Sequence, residues 1–212
     1  MTTQPELAVP TRQPPAGRVS FEEFLDWCDE DTRAEWVDGG VVIMSPASGP
    51  HQAVLHFLIK VLGLWIEAKD LGRLLSDFLM RLPEPVGSSR APDLIFVARA
   101  HLDRLHRTYL EGPADLAVEL ISPDSVGRDR GDKFVEYEQA GVPEYWLIDP
   151  DRQQAEFYEL GPDGRYRLAV GGRSGRYRSG VLDGLVLDVE WLWQDPLPKT
   201  LDILRGLGLI SA

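Results

Sequence analysis

Two short, almost wholly apolar segments of this chain each hold one carboxylate. Asp93 follows Pro92 and precedes the run Leu-Ile-Phe-Val, and Glu119 lies within the run 116–121. Runs this apolar are typical of strands that are buried on both faces of a sheet covered by helices. A carboxylate in such a place is costly unless it is paired, protonated or bound to a metal ion. The two acids therefore constrain the fold and also mark a candidate site.

Each acid also has a plainer explanation, since a carboxylate at the end of a sheet can cap a turn or pair with an arginine. For one acid that explanation would be favoured, but two acids on neighbouring strands followed by a lysine favour a site. The lysine is Lys133, and the short connection 122–126 places the start of its helix near the end of the Glu119 strand. The alternative for Lys133 is a surface ion pair with Asp129, four residues earlier, which would contribute little.

The rest of the pattern predicts a mixed α/β domain with a central mixed sheet and flanking helices. Ser20 and Glu23 have the spacing of a capping box before a first helix. A hairpin is expected over 35–44 around an Asp-Gly-Gly turn, followed by an amphipathic helix over 51–68. The extended runs and the later helix complete the order from which the sheet is predicted. The runs are 74–82, 92–97, 116–121 and 145–149, and a helix over 127–140 separates the last two.

The C-terminal part is predicted to be rich in strands, with a hairpin over 155–170 and an extended stretch over 181–192. We expect a disordered tail over 1–18, which is rich in proline, and one domain over 19–197. The remaining segment, 198–212, is a possible helix. Its apolar part, 201–210, could pack on the domain's own core or form a homodimer contact.

Composition limits the classes of function. The single cysteine, Cys28, excludes an intramolecular disulfide and a cysteine-rich zinc site. We expect a cytoplasmic protein without a membrane segment, because no secretory signal and no apolar run of about 18 residues is visible. The formal net charge of -12 is unusual for a protein that binds nucleic acid. The arginines within 165–178 form a basic strip without acids, which we interpret as a solvated hairpin slightly more readily than as a phosphate-binding edge.

An ordered set of motifs resembles the Uma-type restriction endonuclease family, a branch of the PD-(D/E)XK nuclease superfamily. The motifs are APDLIFV, LAVELISPDS and RDRGDKFVEYEQAGVPEYWLIDP, preceded by EWVDGGVVIMSP and by His51-Gln52 at the head of a long helix. The resemblance covers roughly residues 19–195. It implies a restriction-endonuclease-like central mixed β-sheet flanked by helices, with an N-terminal helix-hairpin addition and a C-terminal β-hairpin.

The resemblance also implies roles for residues of this chain. Asp93 corresponds to the acid of the Pro-Asp motif, and Glu119 corresponds to the second metal-binding acid. The position where the superfamily usually has its lysine holds Ile121, and Lys133 on the next helix is the matching residue in this branch. Two further positions match the family. Glu35 would add a carboxylate or position water, and His51 would help to hold metal or substrate.

These residue types suit hydrolysis of phosphodiester bonds in nucleic acid, with DNA as the favoured substrate. Mg²⁺ or Mn²⁺ prefers oxygen ligands, here the carboxylates of Asp93 and Glu119 and the backbone carbonyl of Leu120. Lys133 would orient or deprotonate the attacking water and stabilise the developing charge.

Two alternatives remain open at this point. One is an inactive relative that serves as a binding or regulatory module, which the acidic charge and the displaced lysine support. The other is a metal-dependent hydrolase of another phosphoester. A homodimer would suit cleavage of both strands.

Overall fold

The computed structural model describes residues 13–29, 32–44, 47–122 and 125–210, which form four α-helices and thirteen strands. The helices are α1 Phe21–Trp27, α2 Gly49–Lys69, α3 Lys133–Ala140 and α4 Thr200–Gly206. The strands are β1 Ala34–Val37, β2 Gly40–Ile43, β3 Gly72–Ser76, β4 Leu79–Arg81, β5 Ser89–Arg90, β6 Leu94–Ala98, β7 Tyr109–Glu111, β8 Leu116–Leu120, β9 Glu144–Asp149, β10 Gln154–Leu160, β11 Tyr166–Gly172, β12 Arg176–Arg178 and β13 Val186–Asp188. Most of the expected tail, residues 1–12, lies outside the described residues.

The central sheet has six strands in the order β11-β10-β9-β8-β6-β3. The pair β8–β9 is parallel and the other pairs are antiparallel. The predicted mixed sheet is therefore confirmed. The strand–helix–strand unit that contains α3 gives the parallel pair, because a parallel connection needs a crossover.

The two faces of the central sheet carry two different apolar cores. Leu94 and Phe96 of β6 pack in the core that contains α2, whereas Ile95 and Val97 pack in the core that contains Tyr137 of α3. This alternation follows from the two-residue period of a strand. On β8 the same period places Glu119 on the face of Ala117, which is the face that α3 covers. The fold thus directs the Glu119 side chain toward α3.

A second sheet, in the order β2-β1-β5-β4-β7, lies under α1. Ser20 and Glu23 form the predicted capping box at the start of α1. The β1–β2 hairpin turns at Asp38 and Gly39, which both have positive φ and so match the twist of the flanking strands. This sheet carries Glu35 on β1 and Arg90 on β5.

The helices α2 and α4 pack in the same core of the central sheet and contact each other. The long helix α2 begins after the N-cap Ser48, and its apolar face packs in the core of the central sheet. The short helix α4 contacts α2 and buries Ile203 and Leu204, while Leu201 is exposed. None of the helices in the described ranges is both long enough and apolar enough to cross a membrane.

Some predicted boundaries are wrong. The run 74–82 is not one strand, since Asp77 has φ 49° and the chain leaves the central sheet there to enter the second sheet as β4. The stretch 181–192 contains only the three-residue strand β13 and a 3₁₀ helix, Val189–Trp193. Leu182 and Leu185 are buried in a turn and not in a β-ladder, so the apolar pattern there reflects burial without strand pairing.

The predicted helix over 127–140 is also not uniform. It begins with a π-helical turn, Arg128–Asp132, in which the backbone N–H of Lys133 donates to the carbonyl of Arg128. Regular α-helix follows and ends at Gly141, whose φ of 84° gives a left-handed C-cap. Turns of this kind occur often at functional sites, and this one immediately precedes Lys133.

Candidate metal and nucleic-acid site

A cleft of about 700 Å³ gathers residues that are distant in the sequence. Asp93, which directly precedes β6, and the β8 residues Glu119 and Leu120 line it. His51 from the first turn of α2 and Lys133 from the first turn of α3 line it as well. Asp93 is therefore at the start of its strand and not inside it as the sequence pattern suggested. Glu35 is fully buried behind Lys133.

Lys133 lies at the centre of a group of carboxylates. Its Nζ is 2.9 Å from Glu119 Oε1, 3.0 Å from Glu35 Oε1 and 3.4 Å from Asp129 Oδ1. Its side chain is 1% exposed, so the pair with Asp129 is not the surface ion pair considered above. Burial alone would lower the pKa of Lys133, but the three carboxylates outweigh that effect and raise it. The lysine is therefore held as the ammonium ion.

Glu35 is held by two cations and a backbone donor. Its Oε2 is 3.1 Å from Arg90 Nη1, and its Oε1 accepts from the Ala91 backbone N–H at 3.2 Å. Burial would raise the pKa of Glu35, but Lys133 and Arg90 lower it below its ordinary value. This carboxylate is ionised and fully paired, which suits a residue that positions Lys133.

Arg90 is a part of this cluster that sequence reasoning missed. Its guanidinium binds Glu136 of α3 through Nε at 2.7 Å and Nη2 at 2.5 Å, and it binds Glu35 through Nη1. Ser88 Oγ also donates to Glu136 Oε2, at 2.8 Å. Arg90 thus links the second sheet to α3. Arg90 lies three residues before Asp93, and this position is the one feature of the sequence that places it near the site. The position does not show that the Arg90 side chain is buried.

Asp93 joins the start of β6 to the end of β8. Its Oδ2 accepts from the Leu120 backbone N–H at 2.8 Å, and its Oδ1 is 3.3 Å from His51 Nε2. Burial would lower the pKa of His51, but the hydrogen bond and charge of Asp93 raise it overall. The other ring nitrogen, Nδ1, is buried without a hydrogen-bond partner among the described residues. A buried polar atom of this kind suits a ligand or water that reaches the ring from the site.

Glu119 has the most unfavourable surroundings for a negative charge. Burial, with the charges of Asp129, Asp93 and Glu35, raises the pKa of Glu119 well above its usual range, although Lys133 lowers it. In the buried cluster that surrounds Lys133 and Arg90, the carboxylates outnumber these two cations. These acids are Glu35, Asp93, Glu119, Asp129 and Glu136. A divalent cation beside Glu119 would relieve this excess of negative charge.

The donor set of the cleft fits a hard cation. The carboxylates of Asp93 and Glu119 and the backbone of Leu120 adjoin one another at the same edge of the central sheet. These are oxygen ligands of the kind that Mg²⁺ and Mn²⁺ prefer. No cluster of three or more His, Cys, Asp or Glu side chains with metal-binding geometry occurs in the described ranges, so side chains alone would not complete the shell.

Replacing Tyr137 with phenylalanine tests how strongly the site is packed together. Tyr137 OH donates to Glu119 Oε1 at 3.0 Å in a buried setting. Because the acceptor is a carboxylate, we expect the loss to lower the free energy of unfolding by about 1.5–3 kcal/mol. Urea unfolding measures this change. Tyr166→Phe is the matched control, because Tyr166 OH donates to the neutral carbonyl of Val142 at 2.9 Å. We expect about 0.5–1.5 kcal/mol there, and an equal or larger loss in the control would contradict the prediction.

Comparison with known proteins gives one family and one fold. The model of the Uma2 family, described as "Putative restriction endonuclease", matches residues 21–190. A crystal structure titled as a "putative nuclease belonging to DUF820", from Anabaena variabilis, is similar with a TM-score of 0.68. It is 18% identical in sequence, and the match covers 82% of this chain and 97% of that one. At this identity the likeness shows a shared fold. No curated protein matches the chain.

Proposed function

The chain belongs to the Uma2 family, and from that membership and the geometry of the cleft we propose that it is a metal-dependent endonuclease that cleaves DNA. The observation that carries the proposal is the meeting of Asp93, Glu119 and the Leu120 backbone with a buried lysine in one cleft. This set combines oxygen ligands for a cation with a permanent positive charge. Phosphodiester hydrolysis needs both, because negative charge builds up on the phosphate in the transition state.

Asp93, Glu119 and the Leu120 carbonyl would hold Mg²⁺ or Mn²⁺. When bound, the ion would supply Lewis-acid polarisation of the phosphate and neutralise part of its charge. Both carboxylates are already fixed in place: Asp93 by the Leu120 N–H, and Glu119 by Lys133 and Tyr137. Such fixed ligands reduce the reorganisation that accompanies binding.

Lys133 would act as a cation in this reaction. Its carboxylate partners raise its pKa, so the ammonium form persists at neutral pH and does not accept a proton from water. Its charge can orient a water molecule and stabilise the phosphate oxygens in the transition state. Glu35, which bonds both Lys133 and Arg90, would hold the lysine in position. His51 would keep Asp93 oriented through the contact at 3.3 Å.

The test is a cleavage assay on supercoiled plasmid, single-stranded DNA and RNA with Mg²⁺, Mn²⁺ or a chelator. We expect cutting of DNA in both metals and none in the chelator. Asp93→Asn is expected to reduce cutting at least about 100-fold, because one ligand of the cation loses its charge. Asp183→Asn is the matched control, since Asp183 is exposed and lies outside the cleft. Cutting that persists in the chelator or in Asp93→Asn would overturn the proposal.

A further inference from the structure

Arginines line the cleft from three separate segments of the chain. Arg33 precedes β1, Arg107 lies in the loop before β7, and Arg128 opens the π-helical turn. The cleft of a chain with a net charge of -12 is thus flanked by positive side chains. Arginines beside a candidate hydrolytic site suit contacts with phosphate, because the guanidinium group binds phosphate oxygens through paired hydrogen bonds.

Two of these arginines are available to a ligand. Arg107 is exposed. Arg128 is half-buried, and its buried Nε has no hydrogen-bond partner among the residues that the structure describes. Neither forms an ion pair within the described parts of the chain, whereas Arg33 pairs with Asp77. Exposed arginines elsewhere are of both kinds: Arg165 is paired with a carboxylate, whereas Arg176 and Arg178 have no ion pair in the described parts of the chain. A buried guanidinium nitrogen of this kind beside the cleft suits a ligand or water that reaches it from the cleft.

Acidic residues also lie at the cleft and on the helix beside it. Asp29, just after α1, lines the cleft, and Glu22, Glu23 and Asp26 are exposed on α1 itself. A double helix carries two phosphate backbones, so it brings more negative charge near these acids than a single strand does. A single strand has one flexible backbone, which can follow the arginines with less repulsion from the acids.

The depth of the site points in the same direction. Glu119 is 3% exposed and Lys133 1% exposed at the cleft, so the phosphate that is cut has to enter the cleft. A cleft of about 700 Å³ is far smaller than a duplex, whereas a flexible single strand can bend one phosphate into it.

We propose that Arg107 and Arg128 bind the phosphates on either side of the cut site in an unpaired segment of nucleic acid. This inference rests on the proposed function and narrows its substrate to single strands, flaps or loops. Arg107 and Arg128 are then positioning residues that hold the strand, while Asp93, Glu119 and Lys133 act at the phosphate that is cut.

The test measures binding separately from cutting. A fluorescently labelled 20-nucleotide strand and the matching duplex are titrated with Asp93→Asn protein in Mg²⁺, and anisotropy gives the Kd. We expect tighter binding of the single strand. We also expect Arg107→Ala and Arg128→Ala each to weaken that binding by about tenfold or more. Each should reduce the slope of log K against log salt by about one, as expected when one phosphate contact is lost.

Arg176→Ala is the matched control, because Arg176 is an exposed arginine of β12 that does not line the cleft. It should leave the Kd within about twofold. Arg107→Glu is a second variant that tests the proposal if Arg128→Ala fails to fold, since Arg107 is exposed.

Equal or tighter binding of the duplex, or a Kd that neither arginine variant changes, would overturn the inference. Duplex cutting with unchanged arginine variants would leave the nuclease standing and remove this inference alone. If the wild type binds the single strand through these arginines but cuts nothing, the binding site stands and the proposed nuclease function is overturned.

Discussion

Replacing Lys133 with methionine is expected to lower the free energy of unfolding by about 3–5 kcal/mol at neutral pH, as breaking a buried ion pair usually does. Methionine fills a similar volume but leaves Glu119, Glu35 and Asp129 without the cation that all three contact. Arg90 still contacts Glu35, so the unpaired charge would fall mainly on Glu119 and Asp129. Burial already raises the pKa of both carboxyl groups.

The loss should depend on pH in a definite direction. Without Lys133 the folded-state pKa of Glu119 and Asp129 rises further above the unfolded values, so the folded protein binds protons more tightly than the unfolded one. Stability of the variant then falls as pH rises from the unfolded pKa values, about 4, through the raised ones. The deficit relative to wild type is therefore larger at pH 8 than at pH 5.

Urea unfolding at the two pH values measures this deficit. Lys60→Met is the matched control, because Lys60 is an exposed lysine of α2. It should change stability by less than about 0.5 kcal/mol. A deficit that is the same at both pH values would show that Lys133 stabilises the fold by packing and not by charge. A deficit below about 1 kcal/mol would contradict the prediction directly.

The central sheet could be predicted from the sequence because its signal is local. Apolar runs around Asp93, around Glu119 and over 145–149, with a helix between the last two, are sufficient to indicate buried strands and a parallel crossover. The predicted strand boundaries are wrong where the local sequence does not indicate a turn. Asp77 adopts positive φ without glycine, and the chain there passes from one sheet to the other.

The candidate site could be predicted only in part, because most of its contacts join residues that are far apart in the sequence. Lys133 and Glu119 lie 14 residues apart, and the short connection between β8 and α3 makes their contact foreseeable. Arg90 reaches Glu35 across 55 residues and Glu136 across 46, through a two-residue strand that no periodicity reveals. Glu35 came from the family resemblance, and its physical role depends on Arg90, which no local pattern identifies.

Glu119→Gln is expected to separate activity from stability. The substitution removes the charge of one proposed cation ligand, and we expect nuclease activity to fall by about 10²–10³-fold or more. In the wild type, Lys133 and Tyr137 donate to Glu119 Oε1, and the amide oxygen of glutamine can accept the same two hydrogen bonds. Lys133 keeps its contacts with Glu35 and Asp129. The fold therefore loses little by this change.

The pKa of Glu119 determines how stability responds. Burial and the neighbouring carboxylates raise this pKa well above 4.5. In the wild type, the stability that Glu119 contributes is present below that unfolded value and is lost as pH rises through the raised pKa. Glutamine does not titrate, so Glu119→Gln should equal or exceed the wild type in stability at pH 8 and depend less on pH. Paired urea unfolding curves at pH 5 and pH 8 measure both effects.

Glu156→Gln serves as the activity control, because Glu156 pairs with Arg130 and does not line the cleft. We expect it to cut DNA at a rate close to wild type. Isothermal titration with Mn²⁺ gives a readout apart from turnover, and Glu119→Gln should weaken the binding of this ion whereas Glu156→Gln should not. A variant that is stable, binds Mn²⁺ weakly and does not cut would place Glu119 at the cation. A stable Glu119→Gln protein that still cuts would mean that the buried acid serves only to hold Lys133, and the cation would then have to bind elsewhere.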